Sequence, residues 1–384
     1  VMTIQPGLLT IPMIIMSIIG VMILLVVVLY LIARTRKKHD LLELDSPSES
    51  LLPFPQQVSG LGTADQTLDQ ARLELIREAY RQWLAGYILS DLEPGRAFLR
   101  DGVGKQGRKY QVRSTSLGQG LAMTLSILMG GDDLGARGRF DRLLAYALAH
   151  PAAPYDDLTS WESYPDAGLG VRAEADPHGE AWIILSLQAA SRQWKREGRF
   201  KYPRAAELRL GALMAYVQGP GAETLPAFSL PAFAHRFQKA APGFAWEGFK
   251  QSEIALDLDN LAAVITGGVL DVDNAAWGLL HYGLGELVRP SQTPKDRSLI
   301  VKNMLKCWDL PDGLGIEEET GLSSLARQAC AAPLTAAWGA AEQKEYLWNV
   351  LTTARPNKRD SIGASLRLLA LYTLNGNNWL FQRD

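Results

Sequence analysis

An uncharged run of 23 residues, Ile11 to Ala33 (IPMIIMSIIGVMILLVVVLYLIA), limits the architecture of this chain more than any other feature. At ~1.5 Å per helical residue it reaches ~35 Å, enough to cross a hydrocarbon core of ~30 Å, and it reads as one transmembrane helix. A cleaved signal peptide would carry basic residues before a shorter apolar stretch and a small-residue cleavage site after it. VMTIQPGLLT has no Lys or Arg, and no such site follows. Arg34, Arg36, Lys37 and Lys38 follow the run directly, so the positive-inside rule predicts that everything after it is cytoplasmic; a failure of that rule would make it periplasmic. The basic cluster reads as a flank that contacts lipid headgroups. Residues 1–10 are a short tail, and residues 34–65 are this flank plus a tether rich in Ser, Pro, Gly and acids, whose Leu and Phe residues are available to dock on a neighbour.

The remaining stretch, residues 66–384, reads as one all-α domain. Apolar residues recur at helical spacing over Leu68–Leu89, Gly118–Met129, Gly138–His150, Glu180–Glu197, Pro203–Val217, Leu230–Lys239, Gln251–Ile265, Asn274–Val288, Asp296–Trp308, Ser323–Gly339, Ala341–Ala354 and Ile362–Leu374. Strand alternation is almost absent. No fixed period of the solenoid kind recurs, so a closed (α/α)6 toroid of helical hairpins is favoured over an open array. With 39 basic and 41 acidic side chains the net charge is −2, which argues against a nucleic-acid partner. Cys307 and Cys330 lie in helical blocks and read as small buried hydrophobes, so a disulfide scaffold is excluded.

Five stretches, in order, resemble the family 8 glycoside hydrolases, bacterial inverting enzymes that cut β-1,4-linked glucan, chitosan or xylan on an (α/α)6 barrel. Ser116-Leu117-Gly118-Gln119-Gly120-Leu121-Ala122-Met123 resembles S-E-G-Q-G-Y-G-M. Ala175-Asp176-Pro177-His178-Gly179-Glu180-Ala181-Trp182 resembles T-D-G-D-x-D-I-A. Leu225 to Phe233 resembles N-P-S-Y-x-x-P-A-x, and Gln328-Ala329-Cys330-Ala331-Ala332-Pro333 resembles D-A-x-R-x-P. Gly363 to Leu371 resembles the closing helix.

Inversion at a glycosidic bond needs one carboxylic acid to protonate the leaving oxygen and one carboxylate to deprotonate water. The resemblance puts the acid at position 117 and the base at position 328. Here these are Leu117 and Gln328, and the neighbouring arginine is Ala331. Neither leucine nor a glutamine amide exchanges a proton at neutral pH. Asp176 is retained, the next acid of its motif is His178, and the third is Glu180. Asp176 reads as either a helix N-cap or a ligand contact. One histidine beside two acids is too few for a metal centre, so neither metal nor cofactor is expected.

Trp161, Tyr164, Trp246 and Trp277 are candidates for a residual sugar groove or a partner contact. Trp83, Trp182, Trp194, Trp308, Trp338 and Trp348 fall inside apolar blocks and read as core. Glu317 to Glu319 and Asp156-Asp157 read as solvated acids. Asp271 and Asp273 lack the glycine and distal glutamate of a calcium loop. The expectation is a membrane-anchored pseudoenzyme of the bacterial inner membrane. It would serve as a structural or binding subunit of an integral membrane complex, such as a polysaccharide synthase or an energy-transducing assembly, with the bilayer and an oligosaccharide as further contacts. The alternatives are an endo-β-1,4-glycanase with relocated carboxylates, Asp176 with Glu162 or Asp166, and a non-catalytic carbohydrate-binding protein.

Overall fold

The structure is a computed structural model, and it describes residues 19–28, 51–52, 54, 70–106, 109–165, 173–194, 199–219, 237, 272–288, 297–308, 322–377 and 379. Residues 19–28 form an exposed helix, α1. The rest of the 11–33 run lies outside the described residues, and among the described residues no helix is long and apolar enough to cross a membrane.

The larger body is helical. In chain order it contains α2 (Gln70–Tyr87), β1 (Ile88–Ser90), β2 (Ala97–Leu99), β3 (Val103–Gln106), β4 (Lys109–Val112), β5 (Ser114–Thr115), α3 (Ser116–Leu128), α4 (Ala136–Ala149), β6 (Glu162–Ser163), α5 (Pro177–Gln193) and α6 (Tyr202–Gln218). Then come α7 (Val272–Val288), α8 (Arg297–Trp308), α9 (Ser324–Cys330), α10 (Ala332–Trp338), α11 (Ala341–Thr353) and α12 (Ser361–Leu374). The expected helices at 230–239 and 251–265 lie outside the described residues.

Two classes of helix alternate. α3, α5 and α12 are buried on nearly every side, whereas α2, α4, α6 and α11 bury one stripe and expose the other. The all-round burial of α3 follows from its sequence, SLGQGLAMTLSIL, which has no charge to keep in water. The buried helices pack side by side in the order α5, α3, α12, α9/α10, α7, while α4 covers α3 and α6 covers α5. α9 and α10 follow one another with a break at Ala331, and Pro333, the second residue of α10, lies in its first turn, where a missing backbone N–H is tolerated.

Backbones approach closely at glycines of the two best-matched motifs. A Cβ at Gly120 would lie 2.6 Å from Trp182 Cβ and 3.0 Å from Ile183 N, and one at Gly179 would lie 2.5 Å from Leu117 N. Any side chain at either position would push α3 away from α5.

Contrary to the expectation of a strand-free domain, six short strands pair as three two-stranded antiparallel sheets: β1 with β2, β3 with β4, and β5 with β6. None exceeds four residues. β5 and β6 matter most for the site, because they set Thr115 opposite Glu162 and Ser114 opposite Ser163 at the start of α3.

The ring has two distinguishable ends. The N-termini of α3 and α5 meet at Leu117 and Gly179, and Asp101 accepts hydroxyl hydrogen bonds from Thr115 before α3 (2.7 Å) and Ser361 of α12 (3.1 Å). Ser323 before α9 donates its hydroxyl to Asp360 before α12, which joins a further N-terminus to this end. The C-termini gather at the other end. There Leu51 N–H donates to the Gln193 carbonyl (2.7 Å), and the Gln193 amide donates to the Leu52 carbonyl (3.0 Å). Phe54 is buried edge-on against Tyr372 (5.8 Å) and lies under the Arg77 guanidinium. Three residues of the stretch read as a tether thus pack on the domain.

Candidate functional site

Among the described residues, the end that holds the helix N-termini carries Leu117, Trp161, Glu162, Tyr164, Asp176, His178 and Glu180. α3 starts with Thr115 as its N-cap, whose hydroxyl oxygen accepts from Gly118 N–H, so the next residue but one, Leu117, sits in the first helical turn. Leu117 is half-buried and packs on the core.

Asp176 is the N-cap of α5. Its two oxygens accept from His178 N–H (3.0 Å) and Gly179 N–H (2.9 Å), with Pro177 at the first helical position. Burial pushes its carboxyl above the usual range, and the two amides oppose that shift. Of the two roles considered for Asp176, capping is the one its contacts display.

Glu180 is fully buried, one turn further along α5. It accepts from Thr159 N–H at 2.5 Å, and Arg209 of α6 places Nη1 at 3.1 and 2.9 Å from its two oxygens. The same Nη1 donates to Thr159 Oγ1 at 3.0 Å. Burial raises the Glu180 pKa, against the pull of Arg209. An acid enclosed this way joins α5, α6 and the 151–165 loop, and has no lone pair facing a cleft.

His178 replaces an acid of the resembled motif and faces His281 of α7, with the two Nε2 atoms 3.0 Å apart. Trp182 Nε1–H also points at His178 Nε2 (3.3 Å), so that nitrogen is an acceptor and the shared proton resides on His281 Nε2. Trp277 packs edge-on against His178 at 4.5 Å. Burial lowers the His178 pKa to about 3 and holds His281 well below its ordinary value, so both rings are neutral. Among the described residues no group of three or more metal-ligating side chains is present.

Trp161 is 42% exposed, and its backbone is clamped: its carbonyl accepts from Ser116 N–H (3.1 Å) and its N–H donates to the Glu174 carbonyl (2.8 Å). Tyr164 is buried against Gly104 and donates to Glu162 Oε2 at 3.1 Å, with Arg113 Nη1 at 4.0 Å from the same oxygen. Leu117, Trp161, Glu162, Tyr164 and Asp176 therefore share one neighbourhood, of which Trp161 is the outward-facing aromatic.

Gln328 lies on α9 and Ala331 at the junction of α9 with α10, separated from α3 around the ring by α12. Gln328 is half-buried and Ala331 fully buried. The preceding residue, Arg327, donates to Asp273 of α7 at 2.8 Å, which commits the acid that faintly suggested a calcium loop. Trp83, Trp182, Trp194, Trp338, Trp348 and Cys330 are buried, whereas Trp246 and Asp166 and the side chain of Trp308 lie outside the described residues.

Gln119, Arg209 and His281 were not singled out from the sequence. The Gln119 amide donates to the carbonyls of Ala97 (3.1 Å) and Leu143 (2.8 Å), and its oxygen accepts from Leu99 N–H (3.2 Å). It thereby fixes β2 and α4 to α3. A glutamine inside an otherwise apolar helix is a legible signal of such a bridge. Arg209 and His281 sit on other helices than their partners and leave no local sequence signature.

Residues 78–228 match the family model described as glycosyl hydrolases family 8. An endoglucanase of Bacillus sp. (strain KSM-330) is 25% identical over 169 residues, which cover 43% of this chain and 36% of that protein. A β-glucanase of Niallia circulans is 26% identical over 167 residues, covering 42% and 38%. The matched region thus spans less than two fifths of these curated relatives. Among solved structures, the apo β-1,3-1,4-glucanase of Paenibacillus sp. X4 aligns with a TM-score of 0.63 at 17% identity, covering 85% of this chain and 98% of that one. Rex8A of Paenibacillus barcinonensis, complexed with xylose, aligns with a TM-score of 0.61 at 17% identity, covering 83% and 96%. These likenesses establish the fold of the helical domain as that of the family 8 barrels.

Proposed function

We propose that this chain, whose residues 78–228 match the glycosyl hydrolases family 8 model, is a catalytically inactive member of that family: a membrane-anchored barrel that acts as a structural or binding subunit of a bacterial membrane complex. The observation that carries the reading is a division of labour within the motifs. The polar and small residues retained are those the fold uses: Gln119 bridges, Gly120 and Gly179 allow close helix packing, Asp176 caps, and Glu180 pairs with Arg209. The two positions that the resembled chemistry needs hold Leu117 and Gln328. A barrel that keeps its scaffold and lacks its proton donor and acceptor is retained for its surfaces.

The anchor is residues 11–33, the basic flank favours a cytoplasmic domain, and the partner class is an integral membrane assembly such as a polysaccharide synthase or an energy-transducing complex. A second reading, an oligosaccharide-binding protein without catalysis, is favoured by one observation: Trp161 presents an exposed indole beside Leu117. Tryptophan fluorescence titrated with gluco- and xylo-oligosaccharides separates the two, because stacking on Trp161 would quench it and Trp161→Ala would remove the response.

The test of inactivity is reducing-end release from β-1,3-1,4-glucan, carboxymethylcellulose, xylan and chitosan by the purified full chain. No release above buffer is expected. Hydrolysis that is lost in Glu162→Gln or Asp176→Asn would overturn the reading in favour of relocated carboxylates.

A further inference from the structure

The end of the barrel away from Leu117 carries features that the proposed function does not use. Between α3 and α4 the turn GDDLG presents Leu134 fully exposed. The acids of that turn are already engaged: Asp132 with Arg77 (2.8 Å) and Asp133 with Arg139. Nearby acids are taken up likewise, Glu345 by Arg72 and Glu207 by Arg204. Arg142, Arg199 and Lys201 are all exposed and in no ion pair among the described residues, although the Arg199 guanidinium reaches the Gly95 carbonyl (3.5 Å) and lies over the Phe200 ring. The Arg142 guanidinium folds back onto the Gly138 carbonyl, towards this end. Glu342 in the first turn of α11 is likewise exposed and in no ion pair among the described residues, so three basic groups outside ion pairs stand against this acid around an outward leucine. This is also the end where Leu51, Leu52 and Phe54 bring the chain in from its N-terminal apolar run.

We infer that this end is a docking face for an anionic lipid surface, with Leu134 at the headgroup boundary and Arg142, Arg199 and Lys201 against the phosphates. The opposite end, with Trp161 and Leu117, then faces away from the bilayer. Charge complementarity and the entry point of the anchored chain both favour a lipid surface over a protein partner. Residues 34–50 lie between the run and Leu51, so a fully extended connection spans at most ~60 Å and holds the face in reach of the headgroups. The inference rests on the anchoring part of the proposed function and is independent of the loss of catalysis.

The full chain, reconstituted into phosphatidylglycerol-containing vesicles with a headgroup-linked acceptor dye, carries a fluorescent amino acid at position 134 or at position 103. Val103 is exposed on β3, beside the N-terminus of α3. The two positions are separated by at least the ~20 Å length of α3, and energy transfer at least about twofold higher from position 134 is expected. Arg142→Glu with Lys201→Glu, or pure phosphatidylcholine vesicles, should reduce that excess. Equal transfer, or more from position 103, overturns the orientation. An excess unchanged in phosphatidylcholine overturns the assignment to anionic headgroups. Failure of the chain to float with vesicles overturns the anchor together with this inference, while the sugar-release test of inactivity stands apart from all three outcomes.

Discussion

Replacement of Arg209 by methionine isolates the buried charge of Glu180 on α5. Arg209 Nη1 makes both contacts to the Glu180 carboxylate, 3.1 and 2.9 Å, and the pair is almost wholly inaccessible, at 3% and 0% side-chain exposure. Methionine keeps much of the packed stem and removes the charge, so Glu180 is left as a buried anion whose remaining partner is Thr159, through its backbone N–H and its hydroxyl. Breaking one side of such a pair costs about 3–5 kcal/mol. The penalty should depend on pH with a definite sign. Burial already raises the folded-state pKa of Glu180 above its ordinary 4.5, and loss of Arg209 raises it further. A carboxyl raised on folding makes the native state bind the extra proton, so stability falls as pH rises through the window between 4.5 and the folded value. The cost of Arg209→Met is therefore largest above the variant's folded pKa, and it shrinks by up to about 1.4 kcal/mol per pH unit below it.

Urea unfolding of both chains in detergent, followed by tryptophan emission from pH 5 to pH 8, measures the difference. Glu180→Gln with Arg209→Met should recover most of the loss, because no unpaired charge remains. A cost under about 1 kcal/mol, the level of an exposed pair, or one that is flat across this pH range, would refute the assignment of Glu180 as a buried structural anion.

Two further perturbations address other parts of the same end. His178 has a folded pKa pushed down to about 3, so the stability it contributes is complete above its ordinary value of 6.5 and is lost as pH falls below that; His178→Gln should flatten the acid limb by about 1.4 kcal/mol per pH unit, read from urea midpoints at pH 7 and pH 5. Gly120→Ala would place a methyl 2.6 Å from Trp182 Cβ and 3.0 Å from backbone, and should cost about 1–3 kcal/mol in the same unfolding assay, with Gly138→Ala, which meets nothing, as the neutral comparison.

Much of the helical ring is legible in the sequence because outer helices such as α2 repeat their apolar residues at 3.6-residue spacing, and the period survives whatever they pack against. The three small sheets are not legible in the sequence, for a physical reason. Strands of two to four residues are too short to show alternation, and β5 and β6 pair across 46 intervening residues. The Asp176 cap is readable from D-P-x-x-E, since aspartate, proline at the first turn and an acid after it all suit a helix start. The fate of Glu180 is not readable, because its partner stands 29 residues away on the next helix. The His178–His281 contact joins residues 103 apart, and nothing local in either stretch announces the other.

The clasp formed by Leu51, Leu52 and Phe54 bears on how the helical domain responds to proteolysis close to it. A protease that cuts before Leu51 releases a barrel with Phe54 still seated on Tyr372 and the Gln193 amide still bonded to Leu52. A cut only a few residues later strips that cover, bares an aromatic ring and strands a buried amide donor. Two cleavage sites a handful of residues apart would thus yield one durable fragment and one prone to self-association.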